Sequence, residues 1–307
     1  MQVGILYSRI RKDEKLLLDE LRERGHDVTK VDVRDHGFGL DDTDAPLADC
    51  DVVVDRCLAT SRSVYLTRFC ESYDIRGSEV TAGSSDERSE SGGVPVVNSA
   101  ETAAVCADKA KTSLALADAG VPTPDTTVAF TTDSALDAIE SYGYPCVLKP
   151  VVGSWGRLMA KIESKSAAEA ILEHKATLGH YEHSVFYVQE FVPKPDRDIR
   201  VVAVDGEPVA AMTRSGDHWL TNAAKGSETA AFGIDDEVAD LVAAASDAVG
   251  GGLLGIDLME TGDGYTVHEV NHTVEFKALD EATDVDVPAA VADWLETKAA
   301  TQVEVTA

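Results

Sequence analysis

Along the first hundred residues, short apolar runs alternate with amphipathic stretches. Val3–Tyr7, Val28–Val33, Asp51–Asp55 and Val94–Asn98 have the length and composition of strands. Between them, Lys12–Arg24 carries Leu16, Leu17 and Leu21 at helical spacing, with Gly25 placed to end the helix. Val64–Tyr73 reads as a second helix. This βαβ rhythm predicts a small parallel sheet over residues 1–98. No GxGxxG follows the first strand, which argues against a dinucleotide-binding fold. Residues 77–93, rich in Ser, Gly and Glu, read as a surface loop.

From Ser99 the pattern changes. A helix to Gly120 precedes Val121-Pro-Thr-Pro124, which the prolines keep extended. Thr126–Phe130, Pro145–Val151, Leu158–Ile162 and Val185–Val192 read as strands, and Ser134–Tyr142 and Ala167–His174 as helices. Asp198–Val204 and Pro208–Thr213 form a hairpin set, followed by a polar loop holding Trp219, Asn222 and Lys225 and by a helix at Asp235–Val249. Leu253–Met259 and the strand from Tyr265 make a last hairpin, Val287–Lys298 a last helix, and Thr301–Ala307 is expected to fray. The expected division is an N-terminal α/β domain over 1–98, a central part over 99–187 and a C-terminal part over 188–307.

Candidate chemistry concentrates in the last hairpin. Glu269 and Asn271 are two residues apart and so share a strand face, and Asp257 sits mid-strand in the partner. Two carboxylates and an amide oxygen on one face form a hard donor set suited to magnesium among phosphates. Register decides whether they meet. A four-residue loop at Thr261–Gly264 pairs Asp257 with His268 and sends Glu269 to the other face. An odd-length loop pairs Asp257 with Val267 and gathers all three. Elsewhere, Arg56, Ser61 and Arg62 follow the third strand, where open α/β sheets bind ligands, and two arginines there could grip a small dicarboxylate. The competing reading is surface ion pairing. Val152–Arg157 is a glycine loop able to close over phosphates, but it is no Walker loop, since neither GKT nor GKS follows.

Composition narrows the classes. The 307 residues allow two or three domains with proper cores. The net charge of −28, from 55 acids against 27 bases, repels nucleic-acid backbones. It is a density that concentrated salt screens, so a halophilic source is expected. No apolar run approaches a membrane span, and the N-terminus lacks a signal-peptide pattern, so a cytoplasmic location is expected. Five cysteines without a CxxC pair read as reduced thiols.

Several features follow one another in an order of their own: Asp108-Lys109, Leu148-Lys149-Pro150, the glycine loop, Gln189-Glu190-Phe191-Val192, Asp198-Ile-Arg200, Asp257, and Glu269-Val-Asn271. Together they resemble the ATP-grasp ligases of the RimK-like branch. Glu269-Val-Asn-His-Thr-Val-Glu-Phe276 is similar to the LysX/ArgX ligases, which attach an amino acid to the C-terminal glutamate of the carrier protein LysW. The resemblance implies an ATP-grasp fold, α/β (α+β), behind a pre-ATP-grasp domain. It implies that Lys109, Lys149, Ser154, Trp155 and Gly156 hold ATP phosphates, and that the segment from Gln189 through Glu190, Phe191 and Val192 receives adenine, with Asp198 nearby. Arg200 and Arg214 then lie near the transferring phosphoryl group. Asp257, Glu269 and Asn271 ligate magnesium, two ions in number, and Asn271 also serves the chemistry. His272, Thr273, Glu275 and Phe276 contact the amino acid, with Arg56, Ser61, Arg62 and Asn222 as further candidates.

The implied reaction activates a carboxylate as an acyl phosphate, which the substrate's α-amine then attacks. No protein nucleophile is needed. Glutamate as substrate means arginine biosynthesis, and 2-aminoadipate means lysine biosynthesis. One methylene separates them, worth about 1–3 kcal/mol in a pocket. Glutamate is the leading expectation, by analogy with halophilic relatives. A RimK-type ligase for another acceptor and an ATP-binding module without turnover are the alternatives. The implied partner is an acidic LysW-like carrier, docked at a basic groove near Arg62, Lys111 and Arg157, and the assembly a dimer or tetramer. One departure is the 77–93 loop, longer than such a family leads one to expect.

Overall fold

The structure is a computed structural model that describes residues 1–37, 47, 49–58, 60–72, 95–153, 158–177, 184–216, 219 and 228–306. The loop at 77–93, Ser154, Trp155, Gly156, Arg157, Asn222, Lys225 and Ala307 lie outside the described residues.

The N-terminal sheet consists of β1 (Gln2–Tyr7), β2 (Asp27–Asp32), β3 (Val52–Arg56) and β4 (Val96–Val97), in the order β2-β1-β3-β4 and parallel throughout. This is the predicted parallel sheet. The central strands β1 and β3 are buried nearly end to end, as a sheet covered on both faces requires. Helix α1 (Lys12–Glu23) turns Leu17, Leu18 and Leu21 inward, while Leu16 is only partly buried. Helix α2 (Thr60–Ser72) begins four residues before its apolar pattern. Ser61 and Arg62 therefore occupy an exposed first turn, whereas Ser63 is buried.

The expected helix to Gly120 is two helices, α3 (Ala100–Cys106) and α4 (Lys109–Asp118). The break falls at Asp108, whose carboxylate accepts the N–H groups of Ala110 and Lys111 and so caps α4. Next comes an antiparallel sheet in the order β5-β8-β6-β7, formed by β5 (Thr126–Ala129), β6 (Cys146–Lys149), β7 (Ala160–Ile162) and β8 (Phe186–Glu190). Helices α5 (Thr132–Tyr142) and α6 (Lys165–Thr177) close one face of it around Ile139, Leu148, Ile162, Leu172 and Phe186.

The third sheet is antiparallel in the order β11-β10-β9-β12-β13, from β9 (Arg197–Val204), β10 (Glu207–Ser215), β11 (Glu228–Ala231), β12 (Leu253–Thr261) and β13 (Gly264–Asn271). Helix α7 (Asp236–Val249) packs on one face through Val238, Val242 and Ala245. On the other, Val202, Met212 and Leu253 join Val291, Trp294 and Leu295 of α9 (Val287–Thr306) and Leu17 and Leu21 of α1 in one core. The N-terminal sheet domain and the third sheet are thus welded together. Two elements escape the sequence pattern, β11, whose four residues are all exposed, and α8 (Lys277–Ala282). Helix α9 also runs to Thr306 instead of fraying from Thr301.

Candidate active site

The last hairpin turns through two residues, Thr261 pairing with Gly264. That even register, continued, would set Asp257 against His268 and turn Glu269 away. It does not continue. A β-bulge between Asp257 and Leu258 leaves His268 without a partner in the ladder, and beyond it Asp257 lies opposite Glu269 and Gly255 opposite Asn271. The expectation that an odd-length loop gathers the ligands is therefore corrected: the loop is even and the bulge shifts the register. The bulge also explains the faces. Val267 and Val270 both enter the core beneath α7, so His268 and Glu269 between them both line a cavity on the other side. Gly255 belongs to this face for want of space. A Cβ there would sit 2.8 Å from Nη1 of Arg200 and 2.6 Å from Val274.

Three cations address the two carboxylates. Arg200 Nε and Nη2 donate to the two oxygens of Asp257 at 2.5 and 2.8 Å, and Arg214 Nη2 donates to Oδ1 at 2.8 Å. Arg214 also donates through Nε to Asp198 at 2.6 Å. Burial pushes the Asp257 carboxyl up, but the two guanidiniums override it and hold it at about 2. Lys109 opens α4, and its ammonium lies 3.0 Å from the Glu269 carboxylate. Its Nζ also donates to the Gly153 carbonyl at the edge of the glycine loop.

Lys149 is different. It is 2% exposed and meets no carboxylate within ion-pairing distance among the described residues; it donates instead to Gln189 at 2.5 Å and lies 3.4 Å from His268 Nε2. Burial lowers its ammonium to about 7, against the opposing pull of Glu269. Burial likewise pushes His268 well below its ordinary value, and Lys149 adds to the effect. A neutral His268 accepts from Lys149 through Nε2. His268 was not anticipated, because only the bulge turns it this way. Replacing it with Leu is expected to raise the nucleotide Kd about tenfold, the scale of a lost hydrogen bond to a charge. His268→Gln, which keeps an acceptor, should recover most of the loss in isothermal titration.

Lys109, Arg200, Arg214, Asp257, His268 and Glu269 line a cavity of about 510 Å³, within the ordinary range for a small-molecule site, and Lys149 lies behind this wall against Gln189 and His268. At one end Val147, Met159, Phe191 and Val192 form an apolar wall, and Gln189, Glu190 and Asp198 line it too. The other end reaches the N-terminal domain at Arg11, Asp13 and Thr60, with Asn271, His272, Thr273 and Glu275 beside them. Gln189 is 1% exposed and its side chain serves Lys149, Thr126 and Tyr187. Glu190 accepts from the backbone of Asp125.

The segment after β13 is held from outside by N-terminal residues. Asn98 donates to the His272 carbonyl at 2.7 Å, Arg56 to the Val274 carbonyl at 2.9 Å, and Asp13 accepts from the backbone of Phe276 and Lys277 at 2.8 Å each. This corrects two expectations. Arg56 is fully buried and paired with Glu14 at 3.0 Å, so it shapes the segment instead of gripping a ligand. Phe276 is fully buried in the core beneath Arg56 and does not line the cavity. Ser61 and Arg62 are exposed and outside the cavity wall, as is Lys111. Burial drives the thiols of Cys50 and Cys146 up to about 11 and those of Cys70 and Cys106 to about 12, which leaves them poor nucleophiles.

Two family models match the chain. Residues 3–80 match the LysX preATP-grasp domain, and residues 106–295 match the RimK-like ATP-grasp domain. The chain belongs to the RimK-like ATP-grasp family. The α-aminoadipate–LysW ligase LysX of Sulfurisphaera tokodaii is 32% identical over 90% of this chain and 92% of its own length. The glutamate–LysW ligase ArgX of Sulfolobus acidocaldarius is 30% identical over 94% of this chain and 95% of its own. Among solved structures, a RimK domain ATP-grasp protein from Sphaerobacter thermophilus superposes with a TM-score of 0.76 at 29% identity, covering 96% of this chain and 99% of its own. The ATP-grasp fold expected from the motif order is thereby established, and with relatives named as ligases the chain is an ATP-grasp ligase. Among the described residues no helix is long and apolar enough to cross a membrane.

Proposed function

We propose that this ligase joins the α-amine of an acidic amino acid, glutamate foremost, to the C-terminal glutamate of a LysW-like carrier at the expense of ATP. The observation that carries the reading is one cavity in which Asp257 and Glu269 face each other under Arg200 and Arg214, and which runs on to the His272–Glu275 segment. Relatives acting on glutamate and on 2-aminoadipate both match over most of the chain, at 30% and 32% identity.

The donor set fits magnesium: two carboxylates on neighbouring strands, with the Asn271 amide two residues along. Held by Asp257, Glu269 and Asn271, magnesium would supply positive charge that offsets the charge of the phosphates. Lys109 and Lys149 hold the phosphates from α4 and β6. Arg200 and Arg214, held by Asp257 and Asp198, present positive charge to the phosphoryl group as it moves to the carrier carboxylate. The α-amine then attacks the activated carbonyl from the His272–Glu275 side, and phosphate leaves. The carrier tail enters at the end lined by Arg11 and Lys277, where Glu275 and Glu281 already pair with these two cations.

Two measurements follow. Steady-state ADP release with carrier should show a kcat/KM for glutamate at least about tenfold above that for 2-aminoadipate, the value of one methylene. Equal values would mean a shared enzyme, and ADP release indifferent to carrier and amino acid would end the carrier reading. ATP affinity should also depend on pH. Lys149 titrates at about 7 in the free protein, and bound phosphates raise that value. Binding therefore takes up a proton above pH 7, and the ATP Kd should rise by up to about tenfold per pH unit between about pH 7 and 9. Titration calorimetry in buffers of different ionisation heat reads the proton uptake. A pH-independent Kd would contradict this role.

A further inference from the structure

A buried polar chain runs from the N-terminal sheet to the substrate segment and is not used by anything described so far. Asp55 at the end of β3 is 5% exposed, Ser63 in α2 is fully buried, and His272 just after β13 is 9% exposed. Asp55 Oδ1 accepts the backbone N–H of Cys57 at 2.9 Å, and Oδ2 accepts the hydroxyl of Ser63 in a short hydrogen bond. Ser63 Oγ in turn lies 3.1 Å from His272 Nε2. The direction of the chain is forced. A carboxylate has no hydrogen to give, so the single Ser63 hydrogen goes to Asp55. Ser63 can then only accept from His272, so Nε2 carries the ring proton and Nδ1 keeps its lone pair. His272 lines the cavity between Asn271 and Thr273.

We propose that Asp55 and Ser63 are positioning residues that fix the Nε2–H tautomer of His272, so that Nδ1 accepts a hydrogen bond from the amino group of the amino-acid substrate. The choice of the amino group as donor rests on the proposed ligase reading; the tautomer does not. A neutral imidazole is a donor at one nitrogen and an acceptor at the other, and its partners decide which. Ser63 and Asp55 make that decision from another domain, just as Asn98 fixes the carbonyl of the same residue.

The decisive variant is Asp55→Asn. The Cys57 N–H keeps the amide oxygen on its side, which turns the amide NH₂ toward Ser63. Ser63 then accepts from the amide and gives its hydrogen to Nε2, moving the ring proton to Nδ1 with almost no change of shape. Long-range proton–nitrogen NMR on histidine-labelled protein reads the tautomer directly, with His272→Gln assigning the signal. The expected result is Nε2–H in the wild type and Nδ1–H in Asp55→Asn. The KM for glutamate should rise at least about tenfold, the scale of a lost hydrogen bond to a charged group, and the KM for ATP should stay within about twofold. Ser63→Ala serves if Asp55→Asn fails to fold; it should leave a tautomer mixture and raise the same KM. Nδ1–H in the wild type, or an unchanged tautomer in both variants, would overturn the relay. A switched tautomer with unchanged glutamate KM would overturn the amino-group contact, as would a wild type showing Nε2–H that ligates no amino acid. The last result counts against the ligase reading and leaves the relay standing.

Discussion

Asp257→Asn is expected to lower kcat by at least about 10³-fold, the upper end for removing one transition-state electrostatic partner. The loss has two sources. The carboxylate is the proposed magnesium ligand most deeply set in the sheet, and it is also the shared acceptor of Arg200 and Arg214. An amide keeps the shape but leaves two half-neutralised guanidiniums side by side. The apo protein should therefore also lose stability, by about 3 kcal/mol on the scale of a broken buried ion pair, seen as a lower urea midpoint. Glu269→Gln separates the two sources. Among the described residues Glu269 forms an ion pair only with Lys109, and its side chain is 28% exposed, so the substitution should cost a comparable factor in kcat with little change in the urea midpoint. If Asp257→Asn retains turnover within tenfold, the hairpin is not where the chemistry happens.

Arg56→Met has the second largest expected effect, on stability and KM instead of kcat. Arg56 and Glu14 are both essentially unexposed, and Arg56 also donates to the Val274 carbonyl. Removing one member of a buried pair costs about 3–5 kcal/mol. The lower figure is expected here because Arg11 still bonds Glu14 at 2.7 Å. The Glu14 carboxyl, which burial drives up and Arg11 and Arg56 pull down below its ordinary value, should then titrate higher. Its contribution to stability, present above the unfolded carboxyl value, will be lost at a higher pH on acidification than in the wild type. The untethered 272–277 segment should raise the KM for glutamate with the ATP KM unchanged. Equal effects on both would show that Arg56 supports the fold generally and not this segment.

Much of this architecture was legible because its signals are local. The parallel N-terminal sheet follows from β-period runs alternating with a leucine stripe, and Asp257, Glu269 and Asn271 announce themselves as oxygen donors on a hairpin. What local patterns do not carry is pairing. His268 reads as an ordinary strand residue, and only the bulge makes it a neighbour of Lys149. Arg56 looks like a ligand-gripping cation because its partner Glu14 lies 42 residues away on another element. Asn98, Asp13 and Ser63 carry no sequence signature at all, since each acts on a segment more than 170 residues distant. Helix α8 was missed because Asp13 of α1 supplies its N-terminal cap.

The mass of the carrier after reaction tests the proposed ligation most directly. Purified enzyme, a LysW-like carrier, ATP, magnesium and glutamate, in concentrated potassium chloride, should add one glutamyl unit to the carrier's C-terminal residue with one ADP formed per addition. A carrier lacking that terminal glutamate should gain nothing. ADP formation without added mass, or addition that survives loss of the terminal residue, would contradict the carrier-ligase account.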